Sequence, residues 1–136
     1  MARYVIDANV IVGWLLARSE PFDFVAQLTT ADDLLAAQLL LPECTSTLRT
    51  EVFERRISQD DADGMLERVL VLPLTAVQSA QQFSRALELA ERFAHRHAYD
   101  MQYLAAAQLS DAEIVTMDRG LRHAATEIGV PVRFLQ

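Results

Sequence analysis

The sequence predicts an α/β fold, with a parallel sheet that carries helices on both faces. Short β-branched runs alternate with longer stretches of helical periodicity along almost the whole chain. Alternation of this kind requires crossover connections, which place helices over both faces of the sheet. The 136 residues suffice for one hydrophobic core, and no linker or internal repeat interrupts them, so a single domain over residues 1–136 is expected.

The N-terminal segment YVIDANVIVGWLLA contains a predicted strand and a predicted helix. Its β-branched beginning predicts a strand over residues 2–6. Val10, Trp14 and Ala17 then recur at helical spacing, which predicts a helix after Asn9.

Residues typical of helix ends mark the next elements. Pro42 suits the first turn of a long helix that runs to about Arg56. Ser58, with Asp61 three residues later, is typical of an N-cap followed by an acidic first turn, and it opens a helix to about Leu70. Two shorter elements are expected before them: a helix over residues 21–30 (PFDFVAQLTT) and a strand over residues 34–37 (LLAA).

The second half of the chain continues the alternation of strands and helices. VLPLTAV predicts a strand, and SAQQFSRALELAERFAHRH predicts a helix whose apolar positions include Phe83, Leu87, Ala90 and Ala94. The remaining predicted elements are a helix (AYDMQYLAAAQLS), a strand (EIVTM), a helix that stops at Gly129 (DRGLRHAATEIG) and a final strand (VPVRFL).

The composition limits the functions that the chain can have. Hydrophobic residues make up 51% and charged residues 23% of the sequence, and the formal net charge is −7. This acidity argues against a general nucleic-acid binder, which normally presents a basic face. All twelve basic residues are arginine, and the absence of lysine excludes a Walker-type P-loop and Schiff-base chemistry. The four glycines form no GxGxxG motif, which excludes the usual dinucleotide-binding fold.

The expected localisation follows from what the sequence lacks. No apolar run reaches 18 residues, and MARYVIDANV reaches an aspartate before a signal-peptide core could form. The one cysteine, Cys44, can build no disulfide framework and has no zinc-binding partners nearby in sequence, so it is expected to be a small buried hydrophobe. A cytoplasmic protein with no membrane association is expected.

Two predicted strands each stop at an aspartate, Asp7 in MARYVIDANV and Asp118 in EIVTMD. In a doubly wound sheet, ligands bind outside the carboxyl ends of the strands, so these side chains could be neighbours despite their distance in sequence. Each aspartate could instead merely cap the helix that follows it. Two such strand ends together favour a site.

Two further acids stand near the beginnings of apolar helices. Glu43 lies in LLLPECTSTL and Asp100 in AYDMQYLAAAQ, and both helices are expected to be largely buried. The helix dipole favours an acid in a first turn by up to about 1 kcal/mol, which is an alternative explanation. A buried carboxylate without a cation is costly, however, and a bound divalent ion would remove that cost.

Four clustered carboxylates would suit Mg²⁺ or Mn²⁺ rather than zinc, because they offer hard oxygen ligands and no imidazole or thiolate. Such a site polarises a phosphate and lowers the pKa of a bound water, which is the chemistry of phosphodiester hydrolysis without a covalent enzyme intermediate. Thr45, Ser46 and Thr116 stand near these acids in sequence and could hold a water or a carboxylate. A hydroxyl that caps the core would also explain each of them alone.

Four segments in order resemble the PIN-domain ribonucleases, and most closely the VapC-type toxins of prokaryotic toxin–antitoxin pairs. These segments are VIDANVIVGWLL, LLLPECTSTL, AYDMQYLAAAQ and IVTMDRGL, and the resemblance extends to the closing GVPVRFL. It implies a three-layer α/β/α sandwich with a mostly parallel central sheet. It also implies a metal-dependent ribonuclease directed at single-stranded RNA.

Carried over position by position, the resemblance implies that four acidic residues form the catalytic metal site: Asp7, Glu43, Asp100 and Asp118. The three aspartates would hold Mg²⁺ or Mn²⁺ directly, and the glutamate would bind metal or orient its water. Asn9 and Thr116 match positions where a small polar residue and a hydroxyl are common. Two departures affect the positioning of the glutamate: Ser46 stands where many relatives carry asparagine, and Pro42 replaces a small or apolar residue.

The resemblance further implies an RNA substrate, a cognate antitoxin protein and a homodimer. Four arginines are expected to contact RNA phosphates, although exposed arginines are more often solvated surface: Arg49, Arg56, Arg119 and Arg122. His95, Arg96 and His97 could add positive charge near Asp100, although a solvated helix terminus would explain them equally well. PFDFV and the helix from Cys44 to Arg56 are expected partner surfaces, although core packing would explain Phe22 and Phe24 at least as well.

Two other functions stay open at this point. One is a metal-dependent phosphatase or a DNA-flap nuclease, although the chain is short for the inserted arches of flap nucleases. The other is a non-catalytic PIN-like scaffold that binds RNA or protein, against which the presence of all four acids argues. The sequence does not name the RNA, the number of metal ions or the antitoxin.

Overall fold

The computed structural model describes residues 2–16, 25 and 33–135, which contain five strands and six helices. The strands are β1 (Arg3–Ile6), β2 (Asp33–Ala37), β3 (Leu74–Val77), β4 (Glu113–Thr116) and β5 (Val132–Phe134). The helices are α1 (Ala8–Leu16), α2 (Leu40–Phe53), α3 (Gln59–Leu70), α4 (Ala80–Arg92), α5 (Tyr99–Leu109) and α6 (Arg119–Glu127).

The five strands form one sheet in the order β3-β2-β1-β4-β5, and every neighbouring pair is parallel. Strand β1 is central: Val5 is paired with Leu35 of β2 on one side and with Ile114 of β4 on the other. The side chains of Val5 and Ile114 are fully buried, and that of Leu35 is half-buried. The predicted parallel sheet is therefore confirmed.

The helices form two groups. Helices α1, α2 and α3 pack against one another, while α5 packs against both α4 and α6. Helix α5 also contacts β1, β2 and β4, and its run Ala105, Ala106 and Ala107 is buried. Small side chains let a helix lie close to a sheet. With the sheet between the two groups, the predicted α/β/α architecture is confirmed.

Two predicted helix signals have the expected geometry. Ser58 and Asp61 form a capping box, in which the Ser58 hydroxyl accepts from the Asp61 amide at 3.0 Å and the Asp61 carboxylate accepts from the Ser58 amide at 3.1 Å. Each bond satisfies an amide that has no partner within the helix. Gly129 follows the end of α6 with a φ of 76°, a left-handed conformation that glycine adopts without strain.

Two helices end earlier than predicted. Helix α2 ends at Phe53 because Arg55 has a φ of 60°, and the Arg56 amide donates back to the Glu51 carbonyl at 2.9 Å. Helix α4 ends at Arg92 in the same way, with Ala94 at a φ of 55°. Neither left-handed residue is glycine, so the sequence carries no signal for these stops.

The helix α4 is rotated relative to the predicted apolar face. Phe83 and Leu87 are 47% and 69% exposed, whereas Gln82, Ala86 and Leu89 are buried. Gln82 is accommodated because its side-chain amide donates to Gln102 of α5 at 3.2 Å. Phe83 and Leu87, two of the apolar positions that predicted this helix, therefore do not face the core.

The remaining predictions concern the start of strand β3, the helix over residues 21–30 and the absence of membrane-spanning helices. Strand β3 begins at Leu74 rather than Val71, because Val71 caps the C-terminus of α3. The helix expected over residues 21–30 lies outside the described residues, apart from Val25. None of the helices within residues 2–16 and 33–135 has the length and apolar character needed to cross a membrane.

Candidate metal centre

The candidate site lies where the order of the strands reverses. From β1 the chain continues to β2 on one side of the sheet and later returns to place β4 on the other side. A crevice forms outside the carboxyl ends of strands at such a reversal, and ligands of doubly wound proteins bind there. Asp7 directly follows β1 and Asp118 follows the end of β4, so both stand at this edge.

A cavity of about 510 Å³ opens at this edge, and all four predicted acids line it. Helices α2 and α5 supply Glu43 and Asp100 from their first turns. The rest of the wall is formed by seven other residues: Ala8, Asn9, Val12, Gly13, Leu16, Thr47 and Met117. Four acids from four separate segments thus border one cavity.

Asp7 is the buried member of this group, with 6% of its surface exposed. Its backbone amide donates to the carbonyl of Val115 at 2.9 Å, which continues the β1–β4 pairing by one residue. Burial, opposed by the hydrogen bond from Thr116 and assisted by the charges of Glu43 and Asp100, raises the pKa of Asp7 to about 6. A cation in the cavity would offset the free-energy cost of ionising this buried side chain.

Thr116, the last residue of β4, connects Asp7 to Asp118. Its hydroxyl donates to Asp7 Oδ2 at 2.8 Å and accepts from the backbone amide of Asp118 at 3.0 Å. Thr116 is fully buried, so packing fixes its side chain. This expected supporting residue therefore lies directly behind two of the four acids.

Asp118 also caps α6. Its Oδ1 accepts from the amide of Leu121 at 2.8 Å. One carboxylate oxygen is thereby used for the cap, and the side chain still lines the cavity. Asn9 links this loop to α1, since its Oδ1 accepts a long, 3.4 Å hydrogen bond from the Met117 amide. Asp118 is thus the cap of α6 and also borders the cavity, so its use as a cap does not by itself exclude a site.

Glu43 is half-buried, and its carboxylate accepts a hydrogen bond from Tyr103. The Tyr103 hydroxyl donates to Glu43 Oε2 at 3.0 Å. Burial raises the pKa of Glu43, the Tyr103 hydrogen bond lowers it, and the nearby charge of Asp100 raises it. Burial also raises the pKa of the adjacent Cys44 thiol to about 12, which fits the inert, buried cysteine expected from the sequence.

Asp100 is exposed, so the expectation that it would be buried is wrong. Tyr99 and Asp100 at the start of α5 are exposed, whereas Met101 and the run from Tyr103 to Ala107 are buried. The pKa of Asp100 is nevertheless raised, first by partial desolvation and then by the charge of Asp118, while His95 lowers it. The argument from the cost of a buried charge therefore applies fully to Asp7 alone.

The chemistry of the donor set fits a hard divalent ion. The cavity offers carboxylate oxygens and no imidazole or thiolate, and three of its four carboxyl groups have raised pKa values that a cation would lower. Within residues 2–16, 25 and 33–135, however, no three His, Cys, Asp or Glu side chains already stand in an arrangement that could hold a metal ion. Ion binding would therefore need these side chains to draw together.

Several expected supporting residues do not reach the cavity. Ser46 and Thr45 are exposed on α2, where the Thr45 hydroxyl donates to the Leu41 carbonyl of its own helix at 2.8 Å. None of the four arginines expected to contact RNA lines the cavity: Arg49, Arg56, Arg119 and Arg122. Their contact with RNA stays a prediction.

Three of these arginines have partners within the protein. Arg56 binds the carboxylates of Glu51 and Glu54, with its Nε 2.7 Å from Glu51 Oε2. Arg122 lies over the ring of Phe134 at 4.2 Å from the centroid, and Arg49 lies 5.6 Å from the ring centroid of Phe53. An ion-paired guanidinium must exchange its partner to bind phosphate, so Arg56 is the poorest candidate.

Tyr103 and Thr47 are site residues that the sequence reasoning missed. Thr47 lines the cavity one turn after Glu43, and Tyr103 holds Glu43 one turn after Asp100. Residues three or four apart lie on one face of a helix, so this spacing was the available signal. It was weak because a tyrosine in an apolar helix is usually a core residue.

The fold and the cavity together define a doubly wound α/β protein with a carboxylate-lined site at its switch point. The family model of the PIN domain matches residues 4–127, and the chain belongs to this family. No curated protein sequence matches this chain.

Solved structures similar to the chain share its fold at low sequence identity. VapBC2 from Rickettsia felis, bound to a DNA fragment from its promoter, has a TM-score of 0.73 at 14% identity and covers 98% of this chain and 99% of that one. PAE2754 from Pyrobaculum aerophilum has a TM-score of 0.70 at 19% identity, with 90% and 84% covered. A toxin–antitoxin complex from Klebsiella pneumoniae has a TM-score of 0.59 at 15% identity, with 85% and 86% covered.

Proposed function

We propose that this chain is a Mg²⁺- or Mn²⁺-dependent endoribonuclease that hydrolyses RNA phosphodiester bonds. We further propose that it is the toxin of a type II toxin–antitoxin pair, acting in the cytoplasm as a single nuclease domain over residues 1–136. The observation that carries the proposal is the convergence of Asp7, Glu43, Asp100 and Asp118 on one cavity at the switch point of the sheet. Membership of the PIN domain family supports the same function.

Each acid has a role that follows from its surroundings. Asp7, Asp100 and Asp118 would bind the ion, and Asp7 is the most deeply buried of them, with one of its oxygens held by Thr116. Glu43, half-buried and held from behind by Tyr103, would bind the ion or accept a hydrogen bond from the attacking water and orient it. When bound, the ion would polarise the phosphodiester and lower the pKa of the water.

The proposed protein partner is a cognate antitoxin. Support comes from the similar structures, one of which is a toxin–antitoxin complex. A homodimer is proposed as well, and large exposed apolar side chains such as Phe53, Val71 and Leu87 provide surface for protein contacts. An antitoxin that covers the cavity would explain how a cell tolerates a nuclease of this kind.

Cleavage of RNA by the purified protein tests the proposal. Total tRNA and rRNA are incubated with the wild type in Mn²⁺ or Mg²⁺, beside an EDTA control and the Asp100→Asn variant. Asp111→Asn is the matched control, because Asp111 is exposed just beyond the opposite end of α5 and asparagine suits its φ of 51°. Cuts at discrete positions that need metal and Asp100 but not Asp111 are expected.

A folded wild type, free of co-purified protein, that cuts no RNA would refute the proposal. A chain that binds RNA with the same affinity as Asp100→Asn, without cutting it, would favour a non-catalytic binding module. Cleavage that persists in EDTA or in Asp100→Asn would indicate a contaminating nuclease and would not support it.

A further inference from the structure

Tyr103 is a large polar side chain in the core whose hydroxyl contacts a candidate ligand of the metal centre. The residue is fully buried, and its hydroxyl donates to Glu43 Oε2 at 3.0 Å. A buried tyrosine normally finds a hydrogen-bond partner, but most buried tyrosines bond to backbone or to residues without a role in a site. Here the partner is a carboxylate that lines the cavity.

This hydrogen bond joins the two helical layers above the edge of the sheet. Tyr103 belongs to α5 and Glu43 to α2, and the two residues are 60 positions apart in sequence. Tyr103 is also three residues after Asp100, so both side chains leave the same face of α5. One face of α5 therefore supplies one acid, Asp100, and holds another, Glu43, that belongs to a different helix.

The position of Tyr103 is itself fixed by packing. Its neighbours on α5 from Leu104 to Ala107 are at most 1% exposed, and the helix contacts three strands. A side chain held in a close-packed core has one orientation, whereas Glu43 is half-buried and has three rotatable bonds. Tyr103 is therefore the fixed member of the pair, and its hydrogen bond restrains the position of the Glu43 carboxylate.

We propose that Tyr103 is a positioning residue, which holds Oε2 of Glu43 and leaves Oε1 to face the ion and its water. The inference rests on the proposed metal-dependent function and specifies how one of its four acids is oriented. Thr116 has the equivalent relationship to Asp7, with a buried hydroxyl behind one carboxylate oxygen. Residues that hydrogen-bond to metal ligands without touching the metal tune the affinity and activity of the site.

The test compares Mn²⁺ binding to the purified wild type and Tyr103→Phe by titration calorimetry. Phenylalanine keeps the ring and removes only the hydroxyl, so we expect the dissociation constant to rise roughly 10-fold. Tyr99→Phe is the matched control, because Tyr99 lies one turn earlier on the same helix but is exposed. It is expected to bind Mn²⁺ with the wild-type affinity.

A double-mutant cycle separates positioning from general packing. If Tyr103 acts through Glu43, then Tyr103→Phe has no further effect on Mn²⁺ affinity in the Glu43→Ala background. An equal loss in both backgrounds would overturn the proposal, as would wild-type affinity in Tyr103→Phe. Failure of Tyr103→Phe to fold where Glu43→Ala folds would also overturn it, since the hydroxyl would then have a separate structural role.

RNA cleavage provides a second readout that keeps this inference distinct from the proposed function. At saturating Mn²⁺, Tyr103→Phe is expected to lower kcat and leave KM for RNA unchanged, because Glu43 acts on the reacting water. A wild type that cuts no RNA but shows the coupling in Mn²⁺ binding would refute the nuclease and retain the positioning role. A wild type that binds no Mn²⁺ would overturn both.

Discussion

Thr116 donates a 2.8 Å hydrogen bond to Asp7 across 109 positions of the sequence, and both side chains are buried. The contact is possible because β1 and β4 are adjacent and parallel, with Ile6 paired to Val115. A carboxylate held in this way is ready for a ligand but carries the cost of its own desolvation. Most of the expected behaviour of the protein follows from this pair.

Removal of the Thr116 hydroxyl should destabilise the protein. Thr116→Val keeps the shape of the side chain but leaves Asp7 Oδ2 and the Asp118 amide without their partner. We expect a loss of about 1–3 kcal/mol in the free energy of unfolding, measured by urea denaturation. Thr116→Ser, which loses one methyl group, should lose only about 0.8 kcal/mol. Equal losses in the two variants would show that the hydrogen bonds contribute little.

Asp7→Asn should stabilise the metal-free protein at neutral pH. The pKa of Asp7 in the folded state, about 6, lies above its ordinary value of 3.8. The stabilising contribution of Asp7 to the free energy of unfolding is therefore fully present below pH 3.8 and is lost as pH rises through about 6. Asparagine can still accept from Thr116 and never ionises, so it should raise the free energy of unfolding at pH 8 by up to about 3 kcal/mol.

The check is urea denaturation of both proteins in EDTA at pH 5 and at pH 8. The stability difference between them should grow from pH 5 to pH 8. A difference that stays constant, or that shrinks, would show that Asp7 is not ionised at a cost in the folded state. The same variant should lose RNA cleavage, which would separate stability from function at this residue.

Asp118 caps α6 and is proposed to bind the ion, and substitution can separate the two roles. Asp118→Asn retains an oxygen that can accept from the Leu121 amide, so α6 should keep its cap while the ligand is lost. Asp118→Ala removes both and should cost about 1 kcal/mol more in the free energy of unfolding. Thermal denaturation and Mn²⁺ binding measure the two effects. A loss of stability in Asp118→Asn as large as that in Asp118→Ala would contradict the assignment.

Ala94→Gly should stabilise the protein without affecting activity. Ala94 is exposed at a φ of 55°, a conformation that is strained for residues with a Cβ. Relief of this strain should raise the free energy of unfolding by about 1 kcal/mol. Ala80→Gly, at an ordinary position in the first turn of α4, is the control and should give no gain. If urea denaturation gave the same change in the free energy of unfolding for both variants, the backbone at Ala94 would not be strained.

The elements that the sequence predicted well are those with local signals. The β-branched runs before Asp7 and Asp118 form buried strands, and Ser58 is the expected N-cap of α3, with Asp61 in its acidic first turn. Asp7 and Asp118 could be placed together because the carboxyl ends of parallel strands share one edge of the sheet. Glu43 and Asp100 were added from the expected cost of a buried carboxylate and from the resemblance to the PIN domain, and all four line one cavity.

The features that the sequence did not reveal depend on tertiary packing. The helix α4 buries Gln82 rather than Phe83 because α5 offers Gln102 as a partner, and no pattern within α4 encodes that contact. Arg55 and Ala94 adopt left-handed backbone without glycine, so the ends of α2 and α4 had no marker. The role of Tyr103 depends on the distance between two helices 60 positions apart in sequence.

The central claim is that the cavity binds a divalent ion through its carboxylates, and thermal melting with and without Mn²⁺ tests it most directly. An ion that binds only the folded state raises Tm in proportion to the logarithm of its concentration above the dissociation constant. We predict a rise for the wild type and for Asp111→Asn, and no rise for Asp7→Asn combined with Asp100→Asn. A wild-type Tm that does not respond to Mn²⁺ would contradict the metal centre, and an equal response in the double variant would place the ion elsewhere.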